Sequence, residues 1–404
     1  MAEKIETTTV NGDNSVDARV ADIVRKLESK GFTIYFYAPT MNVASGGVGV
    51  LFKQARILKD AGYNVKIIFE PKVNEKASYE ASMQVKSKVF VFEKLNPEWL
   101  EFDFSDIPLV PQVGTDESGN RISKINYTDG TSQKTEQIAI SVEDMVVIPE
   151  GFPNIMQQLA QSPCKKIVLA QSWIYVLNSL KPGSIWQSYG ITDVISVSDA
   201  ITEYLNSIMP GLKIKQYSQS INRDIFNVPE RVSDKLPLIG YSCNRGREQR
   251  MKTFNVIRNF QQWNPMANYF RFVELSDLSR EEYAEKLKSC SLLLSTDEIA
   301  GFGTAPLEAM ASGTHVVSWA PYGGKEYINE NNGFWAANGD IFNLSEYLGL
   351  AVDKLVNGEL DNPEIQKSYE ETLSKYTSEG ERKSVIDMFE QYAKERVEEL
   401  KSKV

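Results

Sequence analysis

The feature that most restricts this sequence is an alternation. Short runs rich in β-branched and aromatic residues, TIYFYAP (33–39), NVKIIFE (64–70), MVVIP (145–149), KIVLA (166–170) and DVISVS (193–198), are separated by stretches long enough for helices. Strands that alternate with helices are joined by crossovers, so the pattern predicts a parallel sheet covered by helices on both faces. After the turn-rich segment NRDIFNVPERVSDKLP the alternation restarts with LPLIGYS (236–242), YFRFVEL (269–275), SLLLS (291–295) and HVVSW (315–319). A second doubly wound domain therefore follows the first. The chain of 404 residues suits two or three domains at about 150 residues each.

The reading divides the chain into a tail and helix over residues 1–30, a Rossmann-like domain over 31–220, a second over 221–375, and a last helix over 376–404. Residues 111–137, with their Gly, Asn, Asp and Ser, read as a hairpin elaboration on the first domain. In the last segment Val385, Phe389, Tyr392, Ala393 and Val397 share one helical face, which should pack against a domain.

Composition narrows the chemistry. With 44 basic and 54 acidic side chains the net charge is −10, which argues against a surface built for nucleic acid or anionic membranes. Cys164, Cys243 and Cys290 lie far apart without CxxC spacing, so a disulfide framework or zinc site is not expected. The N-terminus has no apolar signal core, and no run of about 18 apolar residues could span a bilayer, so a cytoplasmic protein is expected. The single histidine, His315, excludes a multi-histidine metal site; before an apolar strand it reads as structural. Asp103 and Asp106 read as turn and cap residues rather than metal ligands.

Candidate chemistry sits in loops at strand ends. After the first strand, APTMNVASGGVGV places Gly46, Gly47 and Gly49 at a strand-to-helix turn, where backbone amides can approach an anion; a tight turn packed on the sheet would also demand glycine. In the second domain LPLIGYSCNRGREQRMK puts Arg245, Arg247, Arg250 and Lys252 directly after a strand, a placement suited to a diphosphate. Farther on, a buried strand runs into GFGTAPLEAMASG. There Gly301 and Gly303 free the backbone, Thr304 and Pro306 open a helix, and Glu308 lies one turn inside it, in reach of ribose hydroxyls. A third glycine-rich loop, APYGGKEYINENNGF, carries Glu326. Trp173, Tyr175 and Trp186 could line an acceptor cleft but read first as core, and Glu150, beside a glycine at the end of MVVIP, could touch an acceptor but reads first as a cap.

GFGTAPLEAMASGTHVVSW followed by GGKEYI resembles the donor-site signature of retaining GT-B glycosyltransferases, the group 1 family of bacterial polysaccharide and glycolipid enzymes. ITDVISVSDAITEYL, SQSINRDIFNVP and SGGVG resemble the family's last N-domain strand and helix, its interdomain segment and its N-domain glycine loop. The resemblance implies two Rossmann-like domains facing a cleft, with the C-terminal helix crossing back to the first. It further implies a nucleotide sugar on the second domain, held by Arg247 and Lys252 at the diphosphate, by Gly301, Gly303, Thr304 and Gly47 through backbone, and by Glu308 at the ribose. The acceptor side would be lined by Gly46, Gly49, Gln171 and Glu150. Two positions depart from the pattern: Ala300 stands where the family has a glutamate, with Glu298 or Asp297 as the nearest substitutes, and Gln171 and Ser172 stand where it often has a histidine.

By that resemblance a sugar passes from a nucleoside diphosphate sugar to a hydroxyl of a carbohydrate, lipid-linked or other acceptor, with retention and without metal or other cofactor. Peripheral membrane association stays open, since relatives use lipid-linked acceptors. The alternatives are a degenerate relative that binds a nucleotide sugar or glycan without turnover, a sugar-nucleotide epimerase, and a DNA-modifying transferase, which the negative charge disfavours.

Overall fold

The computed structural model describes residues 13–39, 46–69, 72–73, 90–91, 109–111, 125–128, 133–136, 140–229, 236–243 and 246–402. Arg245, Asp103 and Asp106 lie outside the described residues.

The first sheet collects Thr33–Ala38 (β1), Asn64–Phe69 (β2), Leu109–Pro111 (β3), Met145–Pro149 (β4), Lys165–Ala170 (β5), Asp193–Ser196 (β6) and Lys213–Gln216 (β7). Their order is β7-β6-β5-β4-β1-β2-β3, and every pairing is parallel. β4 is buried along its whole length, as a strand covered on both faces must be. Of the segment 111–137, Pro111 ends β3, and the other described residues form an antiparallel ladder, Ile125–Thr128 against Gln133–Glu136, outside the main sheet. β3 and β7 were not foreseen: both are edge strands, and an edge strand needs less apolar character than a central one.

The second sheet is built from Leu236–Tyr241 (β8), Arg271–Glu274 (β9), Cys290–Ser295 (β10), His315–Trp319 (β11) and Phe334–Ala336 (β12), in the order β9-β8-β10-β11-β12, again all parallel. Asp13–Glu28 (α1), Gly46–Asp60 (α2), Pro153–Leu159 (α3), Trp173–Ser179 (α4) and Asp199–Ile208 (α5) accompany the first sheet. Arg247–Trp263 (α6), Arg280–Ser289 (α7), Thr304–Ala311 (α8), Ile341–Val356 (α9) and Pro363–Leu373 (α10) accompany the second.

The last helix, Ser378–Lys401 (α11), returns to the first domain and packs on α1 and α2. It buries the face carrying Val385, Phe389, Tyr392, Ala393 and Val397, and Tyr392 Oη donates to the carbonyl of Val194 at 3.2 Å. Its first turn is anchored by Glu381, which is 1% exposed and accepts hydrogen bonds from Tyr217 and Ser220 beside an ion pair of 2.7 Å with Lys53.

Strand order locates the site. In a doubly wound sheet, ligands bind beyond the carboxyl ends of the strands, at the place where the winding reverses. That reversal falls between β1 and β4 in the first sheet and between β8 and β10 in the second. The loops after these four strands and after β5, with the starts of the helices that follow them, contain the candidate donor and acceptor residues named above apart from Glu326, which follows β11, and Trp186, which lies beyond α4.

Candidate active site

On the second domain the site starts where β8 runs into α6. Gly246 adopts φ +87°, a conformation that only glycine enters cheaply, and turns the chain so that Arg247 opens the helix, exposed. Arg250 does not join a cationic cluster: it makes a two-pronged pair with Glu274 at 2.6 and 3.3 Å. Lys252 points toward the loop after β10, where its Nζ lies 2.7 Å from Glu298 and 2.9 Å from Glu248. The Glu298 hydrogen bond, followed by that of Glu248, holds the ammonium above its usual range, so it carries a full charge at neutral pH. Glu298 thus meets the lysine across the mouth of the site. Ala300 is 4% exposed and supplies no carboxylate of its own.

The loop after β10 ends in the start of α8. Gly303 has φ +79°, and its carbonyl accepts from Tyr327 Oη at 2.6 Å, which orients the turn so that the α8 N-terminus begins at Thr304. An eight-residue helix start with unsatisfied N–H groups attracts an anion. Glu308 sits deeper than the sequence suggested. It is 2% exposed and paired with Arg280 at 2.7 Å, whose guanidinium stacks 4.5 Å from the Phe226 ring. Arg280 gave no sequence signal, because its partner lies 28 residues away.

On the first domain, Gly46 and Gly49 in α2 face open space among the described residues, and Gly47 lies under the Gln171 side chain, whose Nε2 donates to the Gly47 carbonyl at 3.0 Å. Glu150 is placed behind the cleft rather than in it. It is 2% exposed, and one carboxylate oxygen accepts the backbone N–H groups of Gln171 at 3.0 Å and Ser172 at 2.8 Å. Burial pushes its carboxyl up to about 7, against the pull of those N–H groups. Trp186 is core, Tyr175 is exposed, and Trp173 lies against Tyr322 with ring centroids 5.9 Å apart. His315 is buried and its Nδ1 meets Tyr369 Oη at 2.9 Å, a structural position.

The two halves meet through main chain. A Cβ on Gly301 would lie 1.6 Å from the Gln171 carbonyl oxygen, and one on Gly323 the same distance from the Gly301 oxygen. Ser198 Oγ donates to the Gly301 carbonyl at 2.6 Å. Glu326 caps α5 from the other domain by accepting the Asp199 N–H at 2.9 Å, a favourable carboxylate at a helix N-terminus. These ties bring the α8 start, Lys252 and Glu298 opposite Gly47 and Gln171. None of them was readable from spacing, because each contact is made by main chain on at least one side, and the residues that meet across the domains lie 103 or more positions apart.

Comparison with known proteins agrees with this geometry. Residues 273–370 match the family Glycosyl transferases group 1. An alpha-1,6-glucosyltransferase of Actinobacillus pleuropneumoniae serotype 7 (strain AP76) is 26% identical over 247 residues, 57% of this chain and 70% of that protein. Among solved structures, a variant of S. aureus TarM in complex with fondaparinux, alpha-GlcNAc-glycerol and UDP aligns with TM-score 0.57 at 14% identity, covering 89% of this chain and 99% of that one. A glycosyltransferase from Rickettsia africae aligns with TM-score 0.59 at 14% identity over 89% and 98%. Anabaena HepE in complex with UDP-glucose aligns with TM-score 0.58 at 11% identity over 89% and 99%.

Proposed function

We propose that this chain, a glycosyltransferase of GT-B fold, moves a hexosyl group from a nucleoside diphosphate sugar to a hydroxyl of a carbohydrate acceptor, with retention of configuration and without a metal ion. The observation that supports the donor reading is Lys252, held by Glu298 at the loop that leads into the α8 start at Gly303–Thr304, with Arg247 opening α6 after the neighbouring strand. As the bond between the anomeric carbon and the diphosphate breaks, negative charge develops on the leaving oxygens. A fixed ammonium, a guanidinium and helix N–H groups stabilise that charge where it appears. The acceptor oxygen bonds the anomeric carbon from the same face, and its proton passes to the departing diphosphate. The glucosyltransferase relative and the UDP-containing structures make UDP-glucose the first donor to try. Among the described residues no helix is long and apolar enough to cross a membrane, and we place the enzyme in the cytoplasm.

Calorimetric titration with UDP, GDP, ADP and TDP tests the reading. One nucleotide should bind, and Lys252→Ala should weaken it about 10- to 100-fold, the worth of one hydrogen bond to a charged group. Turnover should survive excess chelator. Binding by none of the four in folded protein would refute the donor site. A second reading, binding without turnover, is favoured by one observation: Ala300 leaves the loop without a carboxylate at that position, and Glu298 is already paired with Lys252. Release of sugar from the bound donor separates the two, since an enzyme hydrolyses it slowly and a binder does not.

A further inference from the structure

Glu150 is a buried carboxylate that the transfer chemistry does not use, and it stands at the junction of everything the site needs. Its carboxylate oxygen accepts two successive N–H groups, those of Gln171 and Ser172. Its own carbonyl accepts from Ser179 Oγ at 3.0 Å. Gln171–Ser172 leads into α4 and Ser179 ends it, so one residue ties the short helix at both ends. A carboxylate at a helix start is also electrostatically favourable.

The corner held in this way makes four contacts outward. The Gln171 amide nitrogen donates to the Gly47 carbonyl, at the head of the glycine-bearing helix of the first domain. The Gln171 carbonyl oxygen packs directly on Gly301, and Ser172 Oγ donates to the Ile299 carbonyl at 3.4 Å, both in the donor loop of the second domain. Trp173 lies against Tyr322, in the turn whose Gly323 N–H donates to the Ala300 carbonyl at 3.2 Å. A displacement of the corner is therefore passed to both walls of the cleft at once.

We infer that Glu150 is a positioning residue, which fixes the Gln171–Ser172 corner by a double backbone hydrogen bond and through it sets the donor loop 299–303 against the acceptor-side glycine turn. This inference deepens the donor and acceptor reading above and rests on it for its functional meaning, but its test needs no ligand. One oxygen that accepts two successive N–H groups admits little lateral movement, which suits a part whose task is placement, and an amide oxygen in the same place can do the same.

Hydrogen exchange of the full chain, without added nucleotide, checks it. In Glu150→Ala, amide exchange should rise about tenfold in residues 171–173 and also in 299–303 and Gly323, across the domain boundary. The amides of β8 and α9, remote from the corner, should stay unchanged. Glu150→Gln keeps an acceptor oxygen in the same place and should return both segments to within about twofold of the parent. If Glu150→Ala does not fold, Glu150→Asp, one methylene short of the two N–H groups, replaces it with the same expectation. Unchanged exchange at 299–303 overturns the inference, because the carboxylate would then serve only its own domain. Glu150→Gln behaving like Glu150→Ala overturns it too, because the acceptor would not be what matters. Failure of all nucleotides to bind the parent chain would instead refute the donor reading while leaving this exchange result to stand.

Discussion

Glu150 shows what a single residue conceals in a sequence. Beside a glycine at a strand end it reads as a cap or as a group that meets the acceptor, and the structure turns its carboxylate inward onto two N–H groups, in the manner of a cap. The direction of a side chain at a strand end depends on the exit angle of the loop, which no periodicity records. Its raised pKa has a signed consequence. The folded protein holds the proton up to about 7 whereas the unfolded chain releases it near 4.5. Between those values the native state binds more protons, so stability falls as pH rises from about 4.5 to about 7 and is flat above. The effect is on the order of 3 kcal/mol. The melting temperature of the parent relative to Glu150→Gln should accordingly fall from pH 5 to pH 8; a constant difference would show that the carboxyl titrates normally. By contrast Lys252, Gly303 and Thr304 were legible, since a cation after a strand and a glycine before a helix leave their mark in local order. Glu308 was half legible: its place on α8 was foreseen, and its pairing with Arg280 was not.

Among elements, α11 divides in the same way. Its apolar face followed from helical spacing, and the structure buries Val385, Phe389 and Tyr392 on the first domain. Its anchor did not follow, because Glu381 gathers Lys53, Tyr217 and Ser220 from places more than 160 residues distant. Removing the acceptor leaves three donors without it in a buried place. Glu381→Ala should cost about 3 kcal/mol, the low end for breaking a buried pair because Lys53 is a quarter exposed. Thermal unfolding followed by circular dichroism measures it: a lower midpoint with native helix content is expected, and an unmoved midpoint would show that the apolar face alone fixes the helix. The strands divide by position. Central strands were recognised from continuous apolar runs, and so was the edge strand β9, whose FRFVEL run is apolar enough, whereas the edge strands β3, β7 and β12 are short and were missed.

At the scale of the whole molecule, strand order puts the loops after β1, β4 and β5 at or beside the winding reversal of one sheet and those after β8 and β10 at the reversal of the other, and the contacts of Gln171, Ser172 and Ser198 with Ile299 and Gly301 bring the two sets together. The alternation in the sequence specified that architecture well, since parallel sheets with helical crossovers admit few windings. It said nothing of how closely the halves meet, which depends on Gly301 touching the Gln171 carbonyl. Gly301→Ala would set a methyl carbon 1.6 Å from that oxygen, a distance no contact allows, so the corner must shift, and separation of the domains there is the expected outcome. Small-angle scattering should report a larger radius of gyration, with weaker nucleotide binding by calorimetry; unchanged scattering would mean that the loop yields locally.

Where the joint rests on a carbonyl against a glycine, it is indifferent to the side chain that the carbonyl's residue carries. Exchanging the Gln171 side chain alters what projects toward Gly47 and leaves its carbonyl against Gly301. In a randomised library, position 171 can therefore sample new shapes and polarities at the cleft at the cost of one hydrogen bond to Gly47 while keeping its carbonyl on Gly301, whereas position 301 can sample none. For redesign of acceptor preference, the first is the place to vary and the second the place to leave alone.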